Sequence, residues 1–246
     1  MLLLVRAILL GVFLVLGFLF TCVLVLIRPR HRNNVHRVAR LFSWVSPVLG
    51  IKVILRGMEN VSGSPTIYTG NHQNNFDLFT LTKAVPPATV SLGKKSLAWM
   101  PLFGQLYYLT GNILIDRGNR SKAVKTMGAT ADKITNSRLS VWIFPEGTRS
   151  RGRGILPFKT GAFHTALQAK VPVTPVVASC QSHIKLNRWN NGVVIVEMLN
   201  PIATDGYGRE DVRQLAQDVR EQMVKSFEAN SAEAKVLMSR SLEQQQ

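Results

Sequence analysis

His72 and Asp77 stand in Asn71-His72-Gln73-Asn74-Asn75-Phe76-Asp77, a short polar segment between two apolar stretches. An imidazole changes charge near neutral pH and can take a proton from an attacking group when a carboxylate orients it. The chain has no Gly-x-Ser-x-Gly elbow and no Cys or His cluster at metal-ligand spacing. If the pair is catalytic, its nucleophile arrives with the substrate. The same residues also fit a solvated histidine and a helix-start acid. In that case Asn74 or Asn75 caps the helix, and the helix dipole favours Asp77 in its first turn.

Two more polar segments carry chemistry. Gly111-Asn112-Ile113-Leu114-Ile115-Asp116-Arg117-Gly118-Asn119-Arg120 places Arg117 and Arg120 where guanidinium forks can meet phosphate oxygens. Phe144-Pro145-Glu146-Gly147-Thr148-Arg149-Ser150-Arg151-Gly152-Arg153-Gly154 is basic and glycine-rich, so it can offer cations and backbone amides to an anion. Glu146 is expected to orient an arginine or a substrate hydroxyl, because like charge repels it from a phosphate. A solvated strand end and a surface loop remain the competing readings of these segments. Lys94-Lys95-Ser96 resembles the end of a P-loop, but position 88 is alanine where the upstream glycine belongs, which gives a nucleotide site little support.

These segments need a scaffold. Strands are expected over Thr66–Thr69, Thr89–Leu92, Ile113–Ile115, Leu139–Phe144, Val173–Ala178 and Val193–Met198. Helices are expected over Phe76–Val85, stopped by Pro86-Pro87, and over Ser121–Asn136, Gly161–Ala169 and Arg209–Ala229. Trp99–Leu109 reads as apolar and partly helical. Strands alternating with helices predict an α/β layer architecture, with the three polar segments at strand ends, where such folds place their sites. The organisation expected is a membrane anchor with a basic amphipathic segment over 1–50, a catalytic domain over 51–230, and a polar tail over 231–246 that frays toward Gln246.

The chain has 246 residues and a formal net charge of +16. That charge suits a nucleic acid, an anionic membrane or a phosphorylated substrate. Its placement decides among them. Ala7–Ile27 is uncharged and, as a helix, about 30 Å long, enough to cross a hydrocarbon core. Arg28, Arg30, Arg32, Arg37, Arg40, Lys52 and Arg56 follow before the first acid, Glu59. Cations beside an apolar anchor, with 8% aromatic residues and no nucleic-acid motif, argue against a nucleic-acid protein. The segment is too long for a usual signal sequence and lacks a small-residue cleavage site. Flanking charge favours a cytoplasmic Arg28–Arg40, although Arg6 weakens the asymmetry. Val35–Leu49 has the spacing of an amphipathic helix on a membrane surface, and a two-helix hairpin dipping into one leaflet fits equally well. The two cysteines, Cys22 and Cys180, form no disulfide framework, which points to a reducing compartment.

Together the segments resemble the glycerophospholipid acyltransferases, specifically the 1-acylglycerol-3-phosphate acyltransferases in their small bacterial form. His72 and Asp77 match the His-x-x-x-x-Asp motif, and Gly111–Arg117 the second motif. Phe144-Pro145-Glu146-Gly147-Thr148-Arg149-Ser150 matches the third, and Val171-Pro172-Val173-Thr174-Pro175-Val176 the fourth. The match covers about residues 70 to 178. Gln73-Asn74-Asn75 replaces the more usual serine-containing filling of the first motif. The resemblance implies a mixed sheet flanked by helices, with an N-terminal membrane-associated helix or hairpin. It implies acyl transfer from acyl-CoA or acyl-acyl-carrier-protein to the 2-hydroxyl of 1-acylglycerol 3-phosphate, giving phosphatidic acid, with no metal and no cofactor beyond the donor. His72 would be the base and Asp77 its orienter. Arg117, Arg149, Lys95 and Arg120 would meet the phosphate, with Glu146, Gly147 and Thr148 shaping the acceptor site. The implied setting is the cytoplasmic face of a bacterial inner membrane rich in anionic phospholipid. A relative that acylates glycerol 3-phosphate or another lysophospholipid is the near alternative, and an inactive membrane-binding protein is the distant one.

Overall fold

Seven strands form one sheet in the computed structural model, which describes residues 1–243. They are β1 (Ile51–Arg56), β2 (Ile67–Gly70), β3 (Thr89–Lys94), β4 (Ile113–Ile115), β5 (Ser140–Ile143), β6 (Val173–Ala178) and β7 (Gly192–Met198). Their spatial order is β1-β7-β6-β2-β5-β3-β4. All neighbours are parallel except β6 and β7. β2 and β5, in the middle, are buried along their whole length. That is why Ile-Tyr-Thr-Gly and Ser-Val-Trp-Ile do not alternate apolar with polar residues: a parallel sheet is covered on both faces. The expected mixed α/β layers are therefore present.

The helices are α1 (Leu2–Ile27), α2 (Asn34–Ser43), α3 (Val45–Val48), α4 (Asp77–Thr80), α5 (Phe103–Leu109), α6 (Arg120–Ser137), α7 (Gly161–Ala169) and α8 (Val212–Glu243). On one face of the sheet, Ile67, Val141 and Val173 pack with Ile134 of α6, Phe163 of α7 and Leu215 of α8. On the other, Tyr68, Trp142 and Val194 pack with Val45 of α3 and Leu81. Successive residues such as Ile67 and Tyr68 thus serve opposite cores, as the two-residue period of a strand requires.

Several elements depart from the sequence expectation. β1 has no counterpart among the expected strands, because Lys52 and Arg56 interrupt its apolar pattern inside the basic stretch. Lys52 sits between Ile51 and Val53 and Arg56 ends the strand, which pairs in parallel with β7. The helix expected over Phe76–Val85 is α only to Thr80 and tightens to a 3₁₀ turn over Leu81–Ala84, since Pro86 ahead cannot extend it. Thr82 also turns its hydroxyl back onto the carbonyl of Leu78 at 2.9 Å. β3 runs through Gly93 to Lys94 instead of closing at Leu92. Pro101 divides Trp99–Leu109 into a 3₁₀ turn ending at Trp99 and helix α5. α8 continues past Ala229 to Glu243. The expectation of a frayed end reaches residues 244–246, which lie outside the described residues.

The membrane expectations divide. α1 has a mean hydropathy of 3.0 over its best window, long and apolar enough to cross a membrane. It is nevertheless docked on the rest of the chain. Phe13 meets Phe42 of α2 edge to face at 5.3 Å, and Gly17 sits beneath Leu41. Leu24 packs with Val38, Phe42 and Leu106. The apolar stripe of α2 does not lie on a membrane surface as expected. Val35, Val38, Ala39 and Phe42 are buried in protein, and the helix breaks at Trp44. Arg6 is also internal. It donates to the carbonyls of Val48, Leu186, Arg188 and Trp189, so its charge belongs to a clamp within the protein.

Candidate active site

The parallel strands bring their C-terminal ends to one edge in the order β6, β2, β5, β3, β4. The residues just past those ends are Gln181, His72, Glu146, Lys95 and Arg117 respectively. Three stretches scattered over the chain thus become neighbours, because adjacent strands lie only about 4.8 Å apart.

Past β2, the His72 Nδ1 lies 2.7 Å from Asp77 Oδ2. A carboxylate can only accept, so Nδ1 carries the hydrogen and Nε2 is left with a free lone pair. Asp77 is almost fully buried, while His72 keeps 20% of its side chain exposed, enough for a substrate to reach. Asp77 Oδ2 also accepts the amides of Gln73 at 2.7 Å and Asn74 at 3.1 Å. The expected asparagine cap is absent: Asn74 Oδ1 accepts the Phe76 amide in a local turn, and neither Asn74 nor Asn75 caps α4. The imidazole stacks on Phe144 with centroids 4.3 Å apart, which fixes the ring plane from the β5 side.

The loop after β5 is stitched to the histidine. The Ser150 amide donates to the His72 carbonyl at 2.8 Å and the Arg151 amide to that of Gln73 at 3.0 Å. Glu146 completes the seam. Its Oε1 accepts the His72 amide at 2.7 Å and its Oε2 the Leu156 amide at 3.0 Å. The buried carboxylate holds backbone, and among the described residues it makes no hydrogen bond to an arginine. Burial raises its pKa above the ordinary 4.5, a penalty only partly offset by the two amide donors.

Arg117 crosses from β4 and donates to the Gly147 carbonyl at 2.5 Å. It is exposed by area yet partly desolvated by the surrounding chain, which draws its pKa down while leaving it cationic. Gly147 adopts φ +69°, and Lys159 lies where a β-carbon would point. Any other residue there would be strained and would displace the lysine. Lys159 was missed by sequence reasoning, although it adds a cation to this loop. Thr148 and Arg149 are exposed on the same loop. Lys95, just past β3, and Arg120, the first residue of α6, are exposed and make no hydrogen bond to the loop among the described residues. The geometry therefore joins His72, Asp77, Glu146, Gly147 and Arg117 by direct contacts and leaves Lys95 and Arg120 at the rim. Gln181 had no signal in the sequence, since it lies 104 positions from the Asp77 it contacts.

A carboxylate-oriented base beside a cation-lined glycine loop suits transfer to a hydroxyl on an anionic substrate. The acyltransferase family matches residues 52–179, more than half of the chain, and the chain belongs to that family. It is 53% identical over 192 residues to the 1-acyl-sn-glycerol-3-phosphate acyltransferase of Haemophilus influenzae, covering 77% of this chain and 80% of that one. It is 46% identical over 238 residues to the protein of the same name from Escherichia coli, covering 95% and 97%. The solved 1-acyl-sn-glycerophosphate acyltransferase of Thermotoga maritima superposes with a TM-score of 0.73 at 23% identity, covering 93% of this chain and 96% of that one. At that identity the likeness speaks to the fold.

Proposed function

We propose that the protein transfers a fatty acyl group from acyl-CoA or acyl-acyl-carrier-protein to the 2-hydroxyl of 1-acylglycerol 3-phosphate, yielding phosphatidic acid. The observation that carries this reading is the His72 Nδ1–Asp77 Oδ2 bond of 2.7 Å, in a histidine whose backbone is bonded to the loop after β5, the loop whose Gly147 carbonyl Arg117 holds. The names of the relatives from Haemophilus influenzae and Escherichia coli support the choice of acceptor.

Nε2 takes the hydroxyl proton as the oxygen attacks the thioester carbonyl. The tetrahedral intermediate collapses, the carbon–sulfur bond breaks, and the thiolate leaves with that proton. Asp77 keeps the ring in the tautomer that accepts at Nε2 and stabilises the imidazolium. A thioester is already activated, so the acceptor hydroxyl replaces an enzyme nucleophile and no acyl-enzyme is required. Arg149 and Lys159, on the loop of the strand next to the histidine's, and Arg117, which reaches that loop from β4, supply cations for the acceptor phosphate. A few bonds of glycerol phosphate bridge a spacing of about 4.8 Å.

The reading places the protein at the cytoplasmic face of a bacterial inner membrane, anchored by α1 in one leaflet. Its support is that α1 docks on the catalytic layer from Arg6 to Leu24, which is about 27 Å of helix. Its other face leaves Leu4, Ile8, Leu19 and Leu26 exposed. An apolar groove of about 450 Å³ between Leu9, Phe13, Phe20 and the exposed Trp44 continues that face.

The test offers purified protein labelled acyl donor with 1-acylglycerol 3-phosphate, glycerol 3-phosphate or a phosphate-free monoacylglycerol. Label is expected in phosphatidic acid. Exclusive acylation of glycerol 3-phosphate, or equal use of the phosphate-free lipid, contradicts the proposal. Comparing CoA and carrier-protein donors in the same assay fixes the donor.

A further inference from the structure

The Asp77 carboxylate has two unequal sides. Oδ2 accepts from His72 Nδ1 and from the amides of Gln73 and Asn74. All three donors belong to the loop that carries the carboxylate, so they hold the loop together without fixing it to the sheet. Oδ1 accepts a single bond among the described residues, from Gln181 Nε2 at 2.8 Å. Gln181 comes from the segment after β6, two positions beyond the stretch matched by the family.

Its side chain is fully determined. Gln181 is 1% exposed, Oε1 accepts the Thr80 hydroxyl at 3.0 Å, and its own amide donates to Gln73 Oε1 at 2.9 Å. The orientation of the amide follows from its partners. A carboxylate needs a donor and a hydroxyl can supply one, whereas a flipped amide would set carbonyl oxygen against Asp77 Oδ1. Gln73 cannot substitute for it, because its Nε2 is committed to the carbonyls of Ala178 and Ser179. Asn71 likewise exchanges two bonds with Ala178.

We infer that Gln181 is a positioning residue for the reaction, the one side chain among the described residues that aims the Asp77 carboxylate from outside the loop and, through it, the His72 imidazole. It touches no reacting atom. Its bond fixes the carboxylate relative to β6, and a small rotation at Asp77 swings Nε2 away from the acceptor hydroxyl, which lowers turnover without weakening binding. The inference rests on the acyl-transfer reading above.

Gln181→Met keeps the volume and removes the donor. Its kcat is expected to fall about tenfold, the effect of one hydrogen bond to a charged group, with KM for donor and acceptor unchanged. The deciding readout is a double-mutant cycle with Asp77→Asn. If Gln181 acts through the carboxylate, Gln181→Met costs little more once the carboxylate is gone. A parental kcat, a change in KM alone, or the same fold loss in both backgrounds overturns the inference. If Gln181→Met does not fold, Thr80→Val loosens the same amide with a smaller change. It should lower kcat in the same direction with KM intact, and an unaltered kcat there also overturns the inference. Parental turnover of 1-acylglycerol 3-phosphate is measured first. Its absence defeats the functional reading and this inference together, whereas normal parental turnover with an unaffected Gln181→Met defeats the inference alone.

Discussion

Glu146 shows how a motif side chain can serve a site from beneath it. Its carboxylate ties the backbone of His72 to that of Leu156, so the acid holds the loop after β2 and the loop after β5 as one unit. Replacement by Gln keeps the shape but leaves one of the two amides facing a donor, a loss of about 1–3 kcal/mol. The pH dependence has a definite sign. Burial raises Glu146 above its ordinary 4.5 in the folded protein, so its contribution is full below 4.5 and is lost as pH rises through the elevated value. The thermal midpoint of the parental protein should exceed that of Glu146→Gln by most in acid, and the gap should narrow as pH rises above 4.5. A gap that widens with pH contradicts the account. The His72–Asp77 contact was legible in the sequence because residue type and short spacing bring an imidazole to a carboxylate. The backbone role of Glu146 was not, since both its partners are amides, which no side-chain pattern encodes. Gln181 was beyond reach for a related reason: its position beside Asp77 depends on strand order.

Helix α1 makes the same point for a larger unit. Its length and hydropathy were readable, and its single interruption, Arg6, was counted as a flanking charge. The structure buries Arg6 at 3% exposure under the carbonyls of Val48, Leu186, Arg188 and Trp189. A guanidinium can donate to that many carbonyls at once, which ammonium or thioether cannot. Arg6→Met removes the clamp and strands those carbonyls, at a cost of about 3 kcal/mol. In detergent this should lower the thermal midpoint by about 6–12 °C for a chain of this size. An unchanged midpoint would show that α1 is held by its apolar face alone. β1 was illegible for a similar reason, because its alternating Ile51 and Val53 were masked by Lys52 and Arg56. Arg56 in turn forms a two-bond pair with Glu233 of α8 at 2.7 and 2.6 Å. That pair is partly exposed and screened by solvent, so β1 is held mainly by its ladder to β7 and its buried Ile51 and Val53.

The molecule as a whole sets a cationic loop on a scaffold with an exposed apolar helix face, and under the proposed function the two would meet the phosphate and the lipid end of one substrate. The parallel order of β6, β2, β5, β3 and β4 gathers His72, Asp77, the glycine loop and Arg117 on one edge. Alternating strands and helices made the α/β class readable, but strand order follows from how the chain crosses over, and with it which motifs become neighbours. The account turns on His72 as the base for an acceptor hydroxyl. The direct measurement is transfer of label from acyl donor to 1-acylglycerol 3-phosphate by the parental protein and by folded His72→Ala. Label is expected to enter phosphatidic acid, and the variant is expected to lose about 10²–10⁴-fold in turnover, the usual contribution of a positioned base. Turnover of folded His72→Ala near the parental rate would contradict it.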